Sequence, residues 1–371
     1  MKIGVITFWS GNSNYGMMLQ CWALQQTLKS LGHQPYVIRY QSVIKRSFCR
    51  TLLSNIKKNL HHILNYKYYI HNRNRDFTKF RQEHLSFSKD EYHTLIDLRK
   101  NPPAADCYIT GSDQVWAQLL SDDRNRVYFL DFGSSSTKRV AYAPSFAMQD
   151  YPSMLKEKLK SCLLNFDSIS VREYDGVNIC KSIGIEACKV VDPTLLLNKE
   201  KYLSLISNMP SITSKYIYIY SLNVRIPEDI RWNEIQNMAI TNHYDVIVTP
   251  SDGYFIGQEI YGKHVLYSYD TIQNWLNHIY QSTLVVTPSF HGIVLSIILQ
   301  KDFVYVPLKG KYAKGNNRVI DLLQELDLMY RMVSDEDTIE NCSSKEINWT
   351  HVQKKLDHLK NFSYNFLKQS L

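Results

Sequence analysis

Residues 283–308, TLVVTPSFHGIVLSIILQKDFVYVPL, leave this chain few folds to choose from. Two short runs rich in β-branched and aromatic residues flank a longer apolar run. The turn Thr287-Pro288-Ser289-Phe290-His291-Gly292 joins the first short run to the long one. A strand, a helix and a second strand that are apolar on every face must all be covered, which is what a parallel sheet packed by helices on both sides provides. The turn also sets one ionisable side chain, His291, where a strand ends and a helix begins. Helix N-termini carry unpaired N–H groups and the positive end of the helix dipole, a setting for phosphate or carboxylate. Histidine exchanges its proton near neutral pH.

The same alternation runs through the chain. Residues 3–8, 36–40, 107–110, 140–142, 168–171 and 189–191 read as short strands, and residues 17–31 as a helix stopped by Gly32. A second series starts near Lys215, with strands at 216–221 and 244–249 and helices at 228–242, 270–281 and 317–326. The polar stretch 198–214 separates the two series. The expected organisation is α/β throughout: an N-terminal domain over 1–197, a linker over 198–214 and a C-terminal domain over 215–371, with a cleft between them. In open α/β sheets ligands collect beyond the carboxyl ends of the strands, where the turns at 9–16 and 287–292 fall.

A length of 371 residues and 44% hydrophobic content suit two globular domains. No apolar run reaches the roughly 18 residues of a spanning helix. The apolar start MKIGVITFW is cut short by Ser10-Gly11-Asn12-Ser13-Asn14 and reads as a first strand, not a signal peptide. The seven cysteines are odd in number and form no CxxC pair, which points to a reducing cytoplasm. No cluster has metal-ligand spacing, since His61 and His62 are adjacent, so no metal site is expected. The net charge is +8, yet between Lys45 and Arg81 ten basic residues meet the single acid Asp76. Leu52, Leu53, Ile56, Leu60, Ile63 and Leu64 interleave with them at helical spacing. This reads as a basic helical insertion over about 42–100, either solvated with one face packed on its own domain or lying on an anionic membrane surface. No nucleic-acid motif accompanies the charge, and nucleic acid is not expected as a partner.

Four further motifs sit at strand exits. The loop Trp9-Ser10-Gly11-Asn12-Ser13-Asn14-Tyr15-Gly16 lacks both the P-loop and the dinucleotide fingerprint. Its side chains suit hydroxyl-rich ligands, or simply cap a turn. In Gly111-Ser112-Asp113-Gln114-Val115-Trp116, Asp113 either caps the turn or accepts a sugar hydroxyl with Trp116 as an apolar wall. Arg172, beside Glu173 at the end of a buried strand, holds a carboxylate or phosphate with its planar fork or forms a structural ion pair. Asp192-Pro193-Thr194 reads as a rigid turn with a structural role. Arg318, on the helix at 317–326, is placed to reach the same cleft as His291.

Taken in order, these segments resemble the polysaccharide pyruvyl transferase family. The resemblance is carried by Asn14-Tyr15-Gly16 with Leu19-Gln20 and Ala23-Leu24-Gln25, by Gly111 to Trp116, and by Ala141-Tyr142-Ala143-Pro144-Ser145-Phe146. Ser170-Val171-Arg172-Glu173, Asp192-Pro193-Thr194 and Ser289-Phe290-His291-Gly292 complete it, over roughly residues 1–325. It implies two Rossmann-like domains facing a cleft, similar to the GT-B glycosyltransferase architecture. It implies an enzyme that moves the enolpyruvyl unit of phosphoenolpyruvate onto two hydroxyls of a sugar, forming a cyclic ketal and releasing phosphate. Phosphoenolpyruvate is then a co-substrate, with no further cofactor, and the acceptor is a surface-polysaccharide precursor on a lipid carrier, met in the cytoplasm at the inner face of the membrane. His291 corresponds to the leading catalytic candidate. Its role stays open between protonating the methylene, assisting phosphate departure and deprotonating a hydroxyl. The donor side takes in Arg172, Ser289, Phe290, Gly292 and Arg318. The acceptor side takes in Asn14, Tyr15, Gln20, Asp113, Gln114 and Trp116. Some members carry Arg-Leu before the histidine where this chain has Ser289-Phe290, so an arginine contact to the donor would pass to Arg318 or Lys309. Two other readings share the scaffold: a glycosyltransferase using a nucleotide sugar, and a non-catalytic glycan-binding relative.

Overall fold

The computed structural model describes residues 1–42, 75–117, 119–251 and 259–371. Two fully parallel sheets organise the chain. The first contains β1 (Lys2–Ile6), β2 (Gln34–Tyr40), β3 (Phe87–Tyr92), β4 (Cys107–Thr110), β5 (Lys138–Ala141), β6 (Ser168–Val171) and β7 (Cys188–Lys189), in the order β3-β2-β1-β4-β5-β6-β7. The second contains β8 (Tyr216–Ser221), β9 (Asp245–Pro250), β10 (Leu266–Tyr267), β11 (Leu284–Thr287) and β12 (Phe303–Tyr305), in the order β10-β9-β8-β11-β12. In each sheet the strand order reverses beside a central strand, which opens a crevice at the carboxyl ends.

The central strands are buried on both faces. β1 sends Ile3 and Val5 to one side, against Leu24 and Leu28, and Ile6 to the other, against Ile38 and Val127. β8 splits in the same way: Ile217 and Ile219 pack into one core cluster, Tyr216, Tyr218 and Tyr220 into another. The helices that matter for the site are α1 (Tyr15–Ser30), α2 (Phe77–His84), α3 (Leu95–Lys100) and α4 (Lys156–Leu163), then α5 (Tyr174–Ser182), α6 (Pro193–Leu196) and α7 (Lys199–Ile206). They continue with α8 (Trp232–Asn242), α9 (Ile272–Gln281), α10 (Phe290–Leu299), α11 (Asn317–Glu325), α12 (Ile339–Ser344) and α13 (Trp349–Ser370). Every residue of α10 is buried, because the helix covers its own sheet and also touches α1 and α6 of the other half. Trimming one of its Val, Leu or Ile side chains to Ala would cost about 2–5 kcal/mol.

Each strand read from the sequence is present, with its ends within two residues of the expected ones. Two boundaries change. Residues 75–100, read as part of a basic helical insertion within the first domain, are instead regular α/β structure of that domain: α2, the edge strand β3 and α3 all lie there. Residues 43–74, on which the amphipathic and membrane-surface readings fall, lie outside the described residues. The second change concerns the far end of the chain. α13 leaves the C-terminal half and packs on the first sheet: Leu367 joins the cluster of Ile3 and Val5, and Ser363 Oγ accepts the Val191 N–H at 3.0 Å. The span 215–371 is therefore not a single C-terminal domain. The separator read at 198–214 also carries α7, whose Tyr202 is fully buried.

Candidate active site

Asp192 lies beyond β7, directly after Val190 and Val191, and is buried with its carboxylate enclosed. Oδ1 accepts the Thr194 hydroxyl at 2.6 Å and the Thr194 N–H at 3.0 Å, the capping geometry that starts α6. Oδ2 accepts the Ser112 hydroxyl at 2.7 Å and an Arg172 N–H at 2.9 Å. His291 Nε2, from the opposite half, stands 3.7 Å from the same oxygen, inside ion-pair range but beyond hydrogen bonding. Burial alone would raise the Asp192 pKa. The neighbouring His291, Arg172 and the Thr194 hydroxyl overcome that and hold it well below the usual carboxylate range.

Arg172 follows β6 and is 3% exposed, so every N–H it leaves unpaired is desolvated. One amine serves Asp192; Nε and the other amine have no hydrogen-bond partner, and Glu173 Oε2 stands 3.9 Å from Nε. Glu173 turns its other oxygen inward, accepting from Ser145 Oγ at 2.9 Å and from Phe146 N at 2.8 Å. Arg318 arrives from α11. Its guanidinium carbon lies 5.4 Å from the Phe290 ring centroid, and that of Arg172 lies 5.0 Å from the same centroid. Enclosure first, and the charge of Arg172 second, lower the Arg318 pKa to about 10, against the pull of Asp113 and Glu173, so it stays charged at neutral pH. Its Nε has no partner either. Two cations thus share one aromatic ring, with Nε of each and one amine of Arg172 uncommitted, and an unpaired buried polar group costs about 1–3 kcal/mol until something binds it.

The imidazole of His291 fits because residue 16 is glycine. A Cβ there would stand 2.1 Å from His291 Nδ1, an impossible contact. α1 begins at Tyr15, capped by Asn14 Oδ1, which accepts the Met17 N–H at 3.1 Å, so the first loop brings Gly16 up against the histidine. Ser289 caps α10: its Oγ accepts the Gly292 N–H at 3.3 Å. The N–H expected to meet a phosphate is therefore taken by the protein, and the cationic character of the site comes from the two arginines. Gly292 itself is required where its missing Cβ would meet Thr287 Cγ2 at 2.8 Å. Lys309, the alternative to Arg318, is exposed and faces Asp335 at 3.8 Å.

The residues expected to meet the acceptor divide. Asp113 and Gln114 remain partly open to solvent. Asp113 has φ +83°, a strained backbone for a non-glycine residue, and its charge acts on Arg318. Asn14 is also partly open while it caps α1. Tyr15, Gln20 and Trp116 are fully buried and have no surface left for a sugar, so the acceptor role expected of them gives way to packing. Tyr15 stacks on Trp275 at 5.1 Å and donates to the Asp270 carbonyl at 2.7 Å. Gln20 donates to the Met17 carbonyl at 2.9 Å and the Thr7 hydroxyl at 3.2 Å. Trp116 stacks on Phe129 at 5.2 Å and donates to the Tyr128 carbonyl at 2.9 Å. Both arginines at the start of α2 and within it also turn inward. Arg75 donates to the carbonyls of Ser13 and Pro250, and Arg81 to that of Gly11 at 2.9 Å.

Asp192, read as part of a rigid structural turn, does cap α6, and the structure adds its pairing with Arg172 and its approach to His291. The available signal was an acid set directly after an apolar strand, followed by a proline that fixes its direction. Among the described residues no group of three or more His, Cys, Asp or Glu side chains is arranged to hold a metal ion. No described helix is long and apolar enough to cross a membrane.

The fold has relatives of known structure. The S. aureus MnaA–UDP co-structure superposes with a TM-score of 0.52 at 9% identity, covering 95% of this chain and 91% of that one. The Methanocaldococcus jannaschii UDP-GlcNAc 2-epimerase in complex with UDP-GlcNAc and UDP gives 0.51 at 11% identity, covering 97% and 93%. Arabidopsis thaliana UGT89C1 gives 0.51 at 10% identity, covering 99% and 98%. At these identities the likeness concerns the fold alone, which is of the GT-B type. No curated protein matches the sequence. The model of the family described as polysaccharide pyruvyl transferase matches residues 14–309, a span that takes in Gly16, Arg172, Asp192 and His291, and the chain belongs to that family.

Proposed function

We propose that this protein transfers the enolpyruvyl unit of phosphoenolpyruvate to two hydroxyls of a sugar in a surface-polysaccharide precursor, closing a pyruvate ketal. The observation that carries the reading is the pair Arg172 and Arg318 over the Phe290 ring, both with unpartnered N–H groups, beside His291. A small ligand with a phosphate and a carboxylate supplies two anionic groups for two cations.

The chemistry needs an acid and then a base. A proton added to the methylene carbon turns it into a methyl group and makes the adjacent carbon electrophilic. One sugar hydroxyl attacks that carbon and gives up its proton, phosphate leaves with the C–O bond electrons, and a second hydroxyl closes the ring. Of the two hydroxyl protons, one replaces that spent on the methyl group and the other goes with inorganic phosphate. Both directions of transfer are assigned to His291, whose side chain exchanges a proton near neutral pH. Asp113 and Gln114, open to solvent beside Arg318, are proposed to receive the sugar, with Asn14 on the facing loop. The acceptor is proposed to be lipid-linked, with the protein working against the anionic inner face of the membrane.

The test is a thermal-shift titration with phosphoenolpyruvate and, in parallel, UDP-GlcNAc, followed by phosphate release in the presence of candidate glycan acceptors. A ligand at about 100 times its Kd stabilises the native state by about 2.7 kcal/mol. Stabilisation by phosphoenolpyruvate that is lost in Arg318→Ala is the expected result. The structural neighbours with bound UDP make the nucleotide-sugar reading concrete: stabilisation by UDP-GlcNAc alone would replace pyruvyl transfer with glycosyl transfer. Saturable glycan binding with no donor bound and no phosphate released would leave a non-catalytic glycan binder.

A further inference from the structure

His291 and Asp192 lie about a hundred residues apart, on opposite halves of the molecule, and meet over the cleft at 3.7 Å. The charged groups around the imidazole come from every neighbouring element. Asp192 stands beyond β7, Arg172 and Glu173 follow β6, Arg318 comes from α11, and α1 offers only the uncharged Gly16. Arg172 and Arg318 oppose a positive imidazole. Asp192 favours it, and the Ser112 and Thr194 hydroxyls and Arg172 fix where its oxygens point. Nε2 is the ring atom that faces the carboxylate oxygen, within ion-pair range. His291 Nε2 is buried, and its approach to Asp192 falls short of a hydrogen bond.

We propose that Asp192 is the positioning residue of His291, fixing the imidazole where the two halves meet so that it exchanges a proton with the donor. This rests on the pyruvyl-transfer reading and assigns His291 its first step. A ring proton of His291 goes to the methylene carbon of phosphoenolpyruvate, whose π electrons form the new C–H bond, leaving a neutral imidazole. That imidazole then takes the proton of the attacking sugar hydroxyl, which restores the imidazolium. Asp192 touches no reacting atom and keeps its charge throughout.

The experiment follows the His291 ring directly. NMR of the full chain labelled with ¹³C-histidine, the His291 signal being the one missing in His291→Ala, gives its titration in the wild type and in Asp192→Asn. The expected result is a His291 pKa lower by about one pH unit or more in Asp192→Asn, since an opposite charge within reach has been removed. The basic limb of the kcat profile with phosphoenolpyruvate should move to lower pH by the same amount, with KM little changed. An identical His291 titration in the two proteins overturns the proposal. Should Asp192→Asn fail to fold, Ser112→Ala takes its place: it deletes the 2.7 Å bond that orients the carboxylate. A smaller fall in the same direction is expected, and none overturns the proposal. The two readings fail separately. A His291 shift in a protein that never turns over phosphoenolpyruvate keeps the pairing and sinks pyruvyl transfer. Turnover with an unmoved titration does the reverse.

Discussion

The first loop and the surroundings of Phe290 occupy comparable places, each beyond the carboxyl end of an inner strand, and each looked ready for a ligand. The structure treats them differently. Around the first loop many polar atoms are bonded from within, although Gln20 Oε1, Arg75 Nε and Trp275 Nε1 are buried without a partner. Tyr15 donates to Asp270, Ser251 and Arg75 both donate to the Ser13 carbonyl, and Gln20 holds Met17 and Thr7. Around Phe290, atoms of Arg172, Arg318, Glu173 and His291 are buried without partners. The first is a seam between two halves; the second keeps two buried guanidinium groups around one ring. A cluster rich in hydrogen-bonding residues says little about binding until one asks which of its atoms are already spent.

The contrast can be attacked most directly at the histidine. His291→Ala should lower kcat by about 10²–10⁴ while the melting temperature stays close to wild type; near-normal turnover would remove His291 from the chemistry. Next come the two arginines, which differ in how much the fold depends on them. Arg172→Ala leaves the Asp192 carboxylate without its buried cation and should destabilise by about 3–5 kcal/mol in denaturant titration. Arg318→Ala should leave the melting temperature within a few degrees and raise the KM for phosphoenolpyruvate about 10- to 100-fold, the worth of a charged hydrogen bond. Equal stability losses in the two would show that both are structural.

The two glycines of the seam sharpen it further. Gly16→Ala puts a methyl group 2.1 Å from the His291 ring and should cut kcat more than about tenfold, the ring being displaced from its working geometry. At Gly11 the nearest atom is the flexible end of Met17, so Gly11→Ala should be mild. Tyr15→Phe deletes one seam bond and should cost about 1 kcal/mol of stability with the KM unchanged. The smallest effect is in acid. Because Asp192 has its folded pKa depressed, its contribution is present above the unfolded value of about 3.9 and fades as pH falls toward its lower folded value. The stability gap between wild type and Asp192→Asn should therefore narrow below about pH 4.

Periodicity made the two sheets legible, because strands such as YIYIYS and helices such as α10 are apolar on every side and leave little else to form. β3 escaped because it is an edge: FSKDEY buries only Ser88 and Tyr92 and exposes Lys89, Asp90 and Glu91, the charged face by which edge strands avoid pairing. His291, Arg172 and Arg318 were recognisable as charged residues at strand or helix ends in an apolar setting. Asp192 was not, since its meaning depends on a partner from the other sheet that no local pattern reveals. Tyr15 and Trp116 misled for the opposite reason: an aromatic residue beside a polar loop looks like a sugar platform until its burial is known.

The return of α13 has a mechanical consequence. The peptide chain passes between the halves twice, once through α7 and once into α13. The passages run close together, with Lys360 Nζ donating to the Leu197 carbonyl at 3.2 Å. A body held by two neighbouring straps cannot slide or twist freely against its partner; it swings. Two such straps lying side by side restrict relative movement of the halves to rotation about the line they define.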